Sequence, residues 1–351
     1  MPTLSRRQLL LAALALPGPP AFALPERTLS FPRDFGSHPD LRTEWWYITG
    51  HANAGARSFG FQVTFFRSRV DEAQGMQSAF AAKQLVFAHA AVTDLAGGKL
   101  LHDQRIARAG HGVAEASEDD TRVVLRDWSL ERRADGYHAR IPATGFTLEL
   151  QFAPTQPVLL QGDAGISRKG PGEALASYSY SEPQLAASGR IALRGERFDV
   201  RGTAWLDHEW SEALLHPDAV GWDWIGMNLA DGSALTAFHL RDKSGGAIWS
   251  GGSFRTAAGA LRVFAPEEVG FDAVRRWRSP ASQANYPVEW KVRTPAGAFT
   301  VKALLDDQEL DSRSSTGAIY WEGVSDLLDA ADRPVGRGYL EMTGYAAALR
   351  L

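Results

Sequence analysis

The densest concentration of chemically capable side chains is Trp205-Leu206-Asp207-His208-Glu209-Trp210, followed shortly by Trp222-Asp223-Trp224, and five of the eleven tryptophans fall between Trp205 and Trp249. Side chains alternate along an extended strand, so Asp207 and Glu209 would share one face while Leu206, His208 and Trp210 share the other. If the His208 face lines an apolar cavity, the imidazole is a candidate general acid and the Trp210 indole can stabilise a nearby cation through its π-face. The architectural reading of the same residues is that a polar cluster at a strand end ties one domain to the next, with tryptophans that simply pack. Glu44-Trp45-Trp46-Tyr47 carries the same two readings: its aromatics line a ligand cavity or close a β-structure, with Glu44 pairing locally to Arg42 in a supporting role.

Other chemistries are excluded by what is missing. The 351 residues contain no cysteine, which removes disulfides, thiol nucleophiles, iron–sulfur clusters and cysteine-ligated zinc. There is no Gly-x-Ser-x-Gly elbow, no phosphate-binding Gly-Lys-Ser/Thr loop, no Gly-x-Gly-x-x-Gly turn, and His208-Glu209 is followed by Trp210-Ser211-Glu212 rather than by a second zinc-binding histidine. His38, His89 and His216 are scattered without ligand spacing; a set of Asp207, His208 and His216 can be drawn only by guesswork, and no metal is expected. The net charge of −4 provides no attraction for nucleic acid, so none is expected as a partner.

The elements that must position these residues are strands. Phe146-Thr147-Leu148-Glu149-Leu150-Gln151-Phe152 alternates apolar and polar at every step, and similar runs recur at 44–49, 59–66, 85–92, 122–128, 198–205, 235–240, 288–292 and 338–343. Turns rich in Gly, Asn and Asp separate them, as at Asp135-Gly136 and Asp231-Gly232. Many short strands at close spacing predict an all-β protein of antiparallel barrels or sandwiches. The chain also echoes itself: Trp45-Trp46-Tyr47-Ile48 reappears as Trp222-Asp223-Trp224-Ile225, and the closing Ala204-Trp205-Leu206-Asp207 as Tyr339-Leu340-Glu341. Two echoes in the same order suggest paired β domains over 24–215 and 216–351. Ahead of them, Arg6-Arg7, the apolar run Leu9 to Leu16 and Ala21-Phe22-Ala23 read as an export signal over 1–23, of twin-arginine type, directing the protein to the periplasm or beyond.

Taken in order, His38-Pro39-Asp40, Glu44-Trp45-Trp46-Tyr47-Ile48-Thr49-Gly50-His51, Tyr178-Ser179-Tyr180-Ser181, Trp205 to Trp210 and Gly338-Tyr339-Leu340-Glu341-Met342-Thr343-Gly344-Tyr345 resemble the AttH/CrtC family of lipocalin-like proteins. The resemblance covers nearly all of the chain after residue 23. It implies two lipocalin-like antiparallel β-barrel domains packed together, with a pocket for a lipophilic ligand in or between them. It also implies a cofactor-independent hydration of an isoprenoid or carotenoid C=C bond, with His208 and Trp210 at the reacting end, Asp207 tuning His208, and Trp222, Trp224 and Tyr178 lining a hydrocarbon slot; Trp45 and Trp46 are further wall candidates, and Glu209 faces away as support. The carotenoid-hydratase branch carries a Tyr-x-Asp pair on a downstream strand where this sequence reads Leu235-Thr236-Ala237-Phe238-His239, leaving His239 as a substitute. The export signal is similar to that of the secreted, hydrolase-labelled branch. Three readings follow: a hydro-lyase, a carrier of lipids that a membrane transporter could supply in a transient association, and a hydrolase using activated water.

Overall fold

The computed structural model describes residues 24–213 and 215–349; the export signal expected over 1–23 lies outside the described residues. Strands and three short 3-10 turns make up the regular structure, and no helix among the described residues is long and apolar enough to cross a membrane. The expected all-β, antiparallel architecture is what the alternating runs produce: Phe146–Ala153 buries Phe146, Leu148, Leu150 and Phe152 and turns the residues between them outward.

Two sheets result. In the first, of 13 strands, Thr43–Ala54 lies at the centre between Arg57–Arg69 and Glu196–Ser211. Gln84–Asp94 and Lys99–Arg108 continue on one side, and Ala176–Leu193, Phe146–Ala153, Gly136–Ala143 and Trp128–Arg133 on the other. The sheet curls until Arg122–Leu125 packs against Gln84–Asp94 and Lys99–Arg108, giving a nearly closed barrel around Trp46, Phe61, Phe65, Trp128, Leu148 and Trp210. The second, of 10 strands, centres on Ala219–Leu229 between Ala234–Asp242 and Pro334–Met342, with Ala318–Leu328, Gly297–Ala303, Asn285–Thr294 and Gly270–Arg278 continuing beyond the latter. Its core holds Ile225, Met227, Tyr286, Trp290, Trp321 and Leu340.

The strand order is the same in both sheets, and the pairing register makes the sequence echo a structural one. Tyr47 stands opposite Asp207 in the first sheet and Trp224 opposite Glu341 in the second, so Trp45 to Ile48 correspond to Trp222 to Ile225 and Trp205-Leu206-Asp207 to Tyr339-Leu340-Glu341. The sheets meet through these corresponding strands. Thr43–Ala54 packs on Pro334–Met342 and Glu196–Ser211 on Ala219–Leu229, a reciprocal arrangement with approximate two-fold character. At its centre the counterparts Tyr47 and Trp224 touch edge to face at 5.4 Å and 88°. Polar bonds pin the contact: Asn228 Nδ2 donates to the Ala204 carbonyl at 3.0 Å, Gln184 N donates to Asn228 Oδ1 at 2.8 Å, and His89 Nδ1 lies 2.8 Å from the Tyr320 hydroxyl.

Close strand approach depends on glycine, most tightly at Gly202 and Gly338. A Cβ on Gly202 would sit 1.9 Å from the His51 carbonyl oxygen, and one on Gly338 would sit 1.9 Å from that of Gly226. Because the obstacle is backbone, Gly202→Ala should lower the urea midpoint by an amount equivalent to about 1–3 kcal/mol. Gly75→Ala, in open space, should stay within about 0.5 kcal/mol.

Candidate functional site

The strand Glu196–Ser211 separates two environments. Its inward side chains, Leu206, His208 and Trp210, enter the barrel core, while Trp205, Asp207 and Glu209 face the second sheet. The predicted alternation is present, but the hollow lies on the other face from the one expected for His208.

Inside the barrel, His208 and Trp210 are fully buried. The Nε2–H of His208 reaches Glu44 Oε1 at 2.9 Å, and its Nδ1 accepts from the Tyr180 hydroxyl at 3.1 Å, which fixes the neutral tautomer. Burial pushes the imidazole down to about 4, outweighing the neighbouring Glu44 carboxylate. Trp46 stacks on its ring at 4.6 Å, and Trp210 stacks parallel on His38 at 3.9 Å. Glu44 is the hub: it accepts from the Ser37 hydroxyl (2.8 Å), the His38 amide (2.9 Å), His38 Nδ1 (2.8 Å), Arg67 Nε (2.8 Å) and His208. Burial would raise its carboxyl, yet the hydrogen bonds from His208 and His38 and the charge of Arg67 hold it well below the usual range. His38 Nε2 continues the chain to Asp34 Oδ1 at 3.0 Å, and Arg27 closes it.

Several expected roles are corrected by this packing. His208 and Trp210 are packed into the barrel core: both nitrogens of the imidazole are bonded and Trp46 covers its ring. Asp207 cannot tune His208 from the opposite face of the strand. Glu44 pairs with Arg67, buried beside it, while the backbone of Arg42 turns to Glu212. Tyr178 packs on Trp210 within the barrel and reaches the Pro25 carbonyl, and Trp46 belongs to the same core. His239 lies on the interior face of the second sheet, 2.6 Å from Asp223 Oδ2, which also accepts from Arg241 Nε at 2.6 Å. His38, Glu44 and His208 each offer a ligand atom within 4.8 Å of the others. Those atoms are already engaged with one another, and Arg67 and Asp34 complete the charges, so the set is self-sufficient as an ion-pair network.

The cleft between the sheets has the opposite character. A cavity of about 280 Å³ is floored by Ser179, Ser181, Asp207 and Glu209 and walled by Trp224, Phe238, Trp249 and Phe264. The Ser181 hydroxyl and Trp205 Nε1 (2.7 Å) both donate to Asp207 Oδ1, leaving Oδ2 without a hydrogen-bond partner among the described residues. Burial raises the Asp207 carboxyl to about 7; the Ser181 and Trp205 bonds oppose this, and the Glu209 charge adds to it. Glu209, expected to face away, therefore lies in the cavity wall, where Lys169 Nζ meets its Oε1 at 3.0 Å while lying 4.7 Å from the Phe238 ring centre. Of the other predicted wall residues, Trp224 lines the cavity, Trp45 stands opposite Glu209 on the same face, and Trp222 does not line it. Lys169 was not anticipated, because it sits in a Gly- and Pro-rich stretch with no periodicity.

The profile of the AttH-like family matches residues 22–345. The chain belongs to that family. An AttH protein from Nitrosomonas europaea is 49% identical, with a TM-score of 0.86 over 92% of this chain and 99% of that one. Kievitone hydratase from Nectria haematococca shares the fold at 15% identity (TM-score 0.68, 86% of this chain and 89% of that one). CghA, solved with Sch210972, does so at 14% (TM-score 0.54, 86% and 88%). This AttH-like protein thus has the lipocalin-like fold of which a hydratase is one example. No match was found among curated proteins.

Two outcomes test the site's electrostatics. Glu44→Ala strands the buried Arg67 guanidinium and should cost about 3–5 kcal/mol in urea unfolding. Asp207 is protonated more tightly folded than unfolded, so its contribution to stability falls as pH rises from about 4 through 7. Asp207→Asn should therefore melt above the wild type at pH 8, with the difference gone by pH 4; an equal offset at both would contradict the raised carboxyl.

Proposed function

We propose that this AttH-like protein is a cofactor-independent hydro-lyase that adds water to a C=C bond of a lipophilic substrate in the cleft between its sheets. The observation that carries the reading is the Asp207 carboxyl, pushed up to about 7 by burial, with Oδ1 tied down and Oδ2 unpartnered in an aromatic-walled cavity. Near neutrality a large share of such carboxyls is protonated, which suits transfer of a proton to an alkene carbon. The Trp224 and Phe238 faces favour the developing carbocation, as the position of the Lys169 ammonium over Phe238 illustrates. Ser179, Ser181 and Glu209 are polar groups able to seat one water.

The shared fold with kievitone hydratase supports the reaction class. Size narrows the substrate: about 280 Å³ takes a ring system or a terminal isoprenoid unit rather than a whole polyene, whose remainder would have to lie outside. The export signal read over 1–23 supports a reaction outside the cytoplasm.

The test is incubation with kievitone and with an acyclic carotenoid in ¹⁸O-labelled water, followed by mass spectrometry for the gain of one labelled water. Turnover should be highest below pH 7 and fall about tenfold per unit above it, as the acid form of Asp207 is lost. Asp207→Asn should reduce it by about 10²–10⁴-fold while the substrate still binds. Saturable binding of unchanged ligand by both proteins would replace the enzyme with a carrier.

A further inference from the structure

A second cavity, of about 610 Å³, lies beside the first between the two sheets. One wall is the segment from Thr155 to Gly162 that follows Phe146–Ala153. The other is the hairpin from Arg255 to Leu261 that joins Ala247–Arg255 to Leu261–Phe264. Gly162 belongs to the lining of both cavities. The second lining is mostly apolar, and Arg255 is its one ionisable residue.

Arg255 is only 5% exposed, yet the acceptors it meets are neutral: Nη1 donates to the Pro157 carbonyl at 2.6 Å and Nη2 to Gln156 Oε1. Gln156 is held in that orientation by its Nε2, which donates to the Gly232 carbonyl at 2.8 Å. The two other arginines buried to this degree among the described residues, Arg67 and Arg241, each have a carboxylate, Glu44 and Asp223. Arg255 has none among the described residues, and burial lowers its guanidinium from the ordinary range with no neighbouring charge to oppose the shift. A buried cation without an opposite charge is costly, which makes this guanidinium a receptor for an anion. Its two bonds use two of five N–H donors, so Nε–H and others remain to be given. A lining with one cation and no acid is matched by a single negative charge, which a carboxylate carries and a diphosphate exceeds.

The hairpin ladder supplies the path from this cation to the acid of the first cavity. Arg255 stands opposite Leu261 and Ser253 opposite Val263, so these four side chains share one face. Leu261 and Val263 are 44% and 42% exposed, and Val263 already lines the first cavity. Farther along the face that carries Arg255 and Ser253, Gly251 and Trp249 line it too. Ser253 Oγ donates to Gln161 Oε1 at 2.9 Å, Gln161 Nε2 donates to Ser181 Oγ at 2.8 Å, and Ser181 in turn donates to Asp207. Strand residues advance about 3.3 Å each, so Gly251 lies roughly 13 Å along the strand from Arg255.

We propose that Arg255 binds the carboxylate of a lipophilic acid whose chain runs over Leu261 and Val263 and sets its C=C bond in the first cavity, beside Asp207. The class of substrate is then an unsaturated monocarboxylic acid with its double bond roughly 13 Å from the head group. The carboxylate site stands on Arg255 alone; that the bound acid is the substrate rests on the hydro-lyase reading of the cleft. Hydration gives a hydroxy acid: the Asp207 proton goes to one alkene carbon and the oxygen of water to the other. The proton that this water releases returns to Asp207 by way of solvent, and the carboxylate at Arg255 is unchanged.

The site is tested on the full chain by isothermal titration with oleate, oleyl alcohol and oleyl phosphate, each below its micellar concentration. Oleate should bind about tenfold or more tightly than the alcohol, as charge-assisted hydrogen bonds supply. Arg255→Gln should erase that preference by weakening oleate and leaving the alcohol unchanged. Leu261→Glu sets a carboxylate directly across the ladder from Arg255 at an exposed position and should erase the preference as well, whereas Leu261→Gln should keep it. Equal binding of acid and alcohol, or a preference that survives in Arg255→Gln or in Leu261→Glu, would overturn the site. Tighter binding of oleyl phosphate than of oleate would overturn the carboxylate as its ligand. In ¹⁸O-labelled water, oleate held through Arg255 that never gains a labelled water would leave the site standing and overturn its link to hydration. Hydration of oleate that Arg255→Gln leaves at full rate would keep the hydro-lyase reading and overturn the site.

Discussion

The Glu44 carboxylate is the interaction on which the arrangement of the first sheet depends. Five donors from the segment before the strand, from the neighbouring strand and from the facing strand converge on it. Because one donor is His208 and another is Arg67, the network locks Thr43–Ala54 to both of its neighbours in a single register. A slip of one residue would turn His208 outward and drive Asp207 and Glu209 into the core. The buried ion network thus determines which acids reach the cleft without any of its own members touching it.

The second sheet uses the same strand order with different contents. Its interior equivalent of Trp46 is Asp223, whose charge is met by His239, Arg241 and Tyr345. Each sheet therefore carries a self-paired cluster of histidine, carboxylate and arginine on its core-facing side. The cavity where the two sheets meet carries Asp207 and Glu209 on its floor, with Glu341 close enough to add its charge to theirs. Lys169 is the cation paired with this group. Desolvated carboxyls with too little compensating charge are the physical reason their protons are held to neutral pH.

The strands were legible because burial on one side of a twisted sheet leaves a period of two in the sequence, as in Phe146 to Phe152. The duplication was legible for the same reason: Trp222-Asp223-Trp224 and Tyr339-Leu340-Glu341 keep the alternation of their counterparts. What alternation does not encode is which face of a strand meets packed core and which meets a hollow. Around residue 208 both faces carry aromatics and ionisable groups, so the conspicuous imidazole was assigned to the cavity that belongs to Asp207 and Glu209. Glu341 lies within the closing motif, and its equivalence to Asp207 is legible in the echo of Trp205-Leu206-Asp207 by Tyr339-Leu340-Glu341. Lys169 had no such signal, since it becomes relevant only through a loop folded over Phe238.

Ion networks and cleft acids also divide the energetic labour between the two faces of one strand. On the inward face, His208 is kept neutral near pH 7 and both nitrogens of its ring are used in hydrogen bonds. On the outward face, Asp207 is left incompletely satisfied, a condition that weakens the fold above its own midpoint. A carboxyl in that condition persists only where surrounding structure over-determines its place. Glu44 does so from three residues away in register, by fixing the backbone that carries Asp207. Rigidity on the inner face is thus the condition for reactivity on the outer one, and the two functions can be separated by substitution because no side chain serves both.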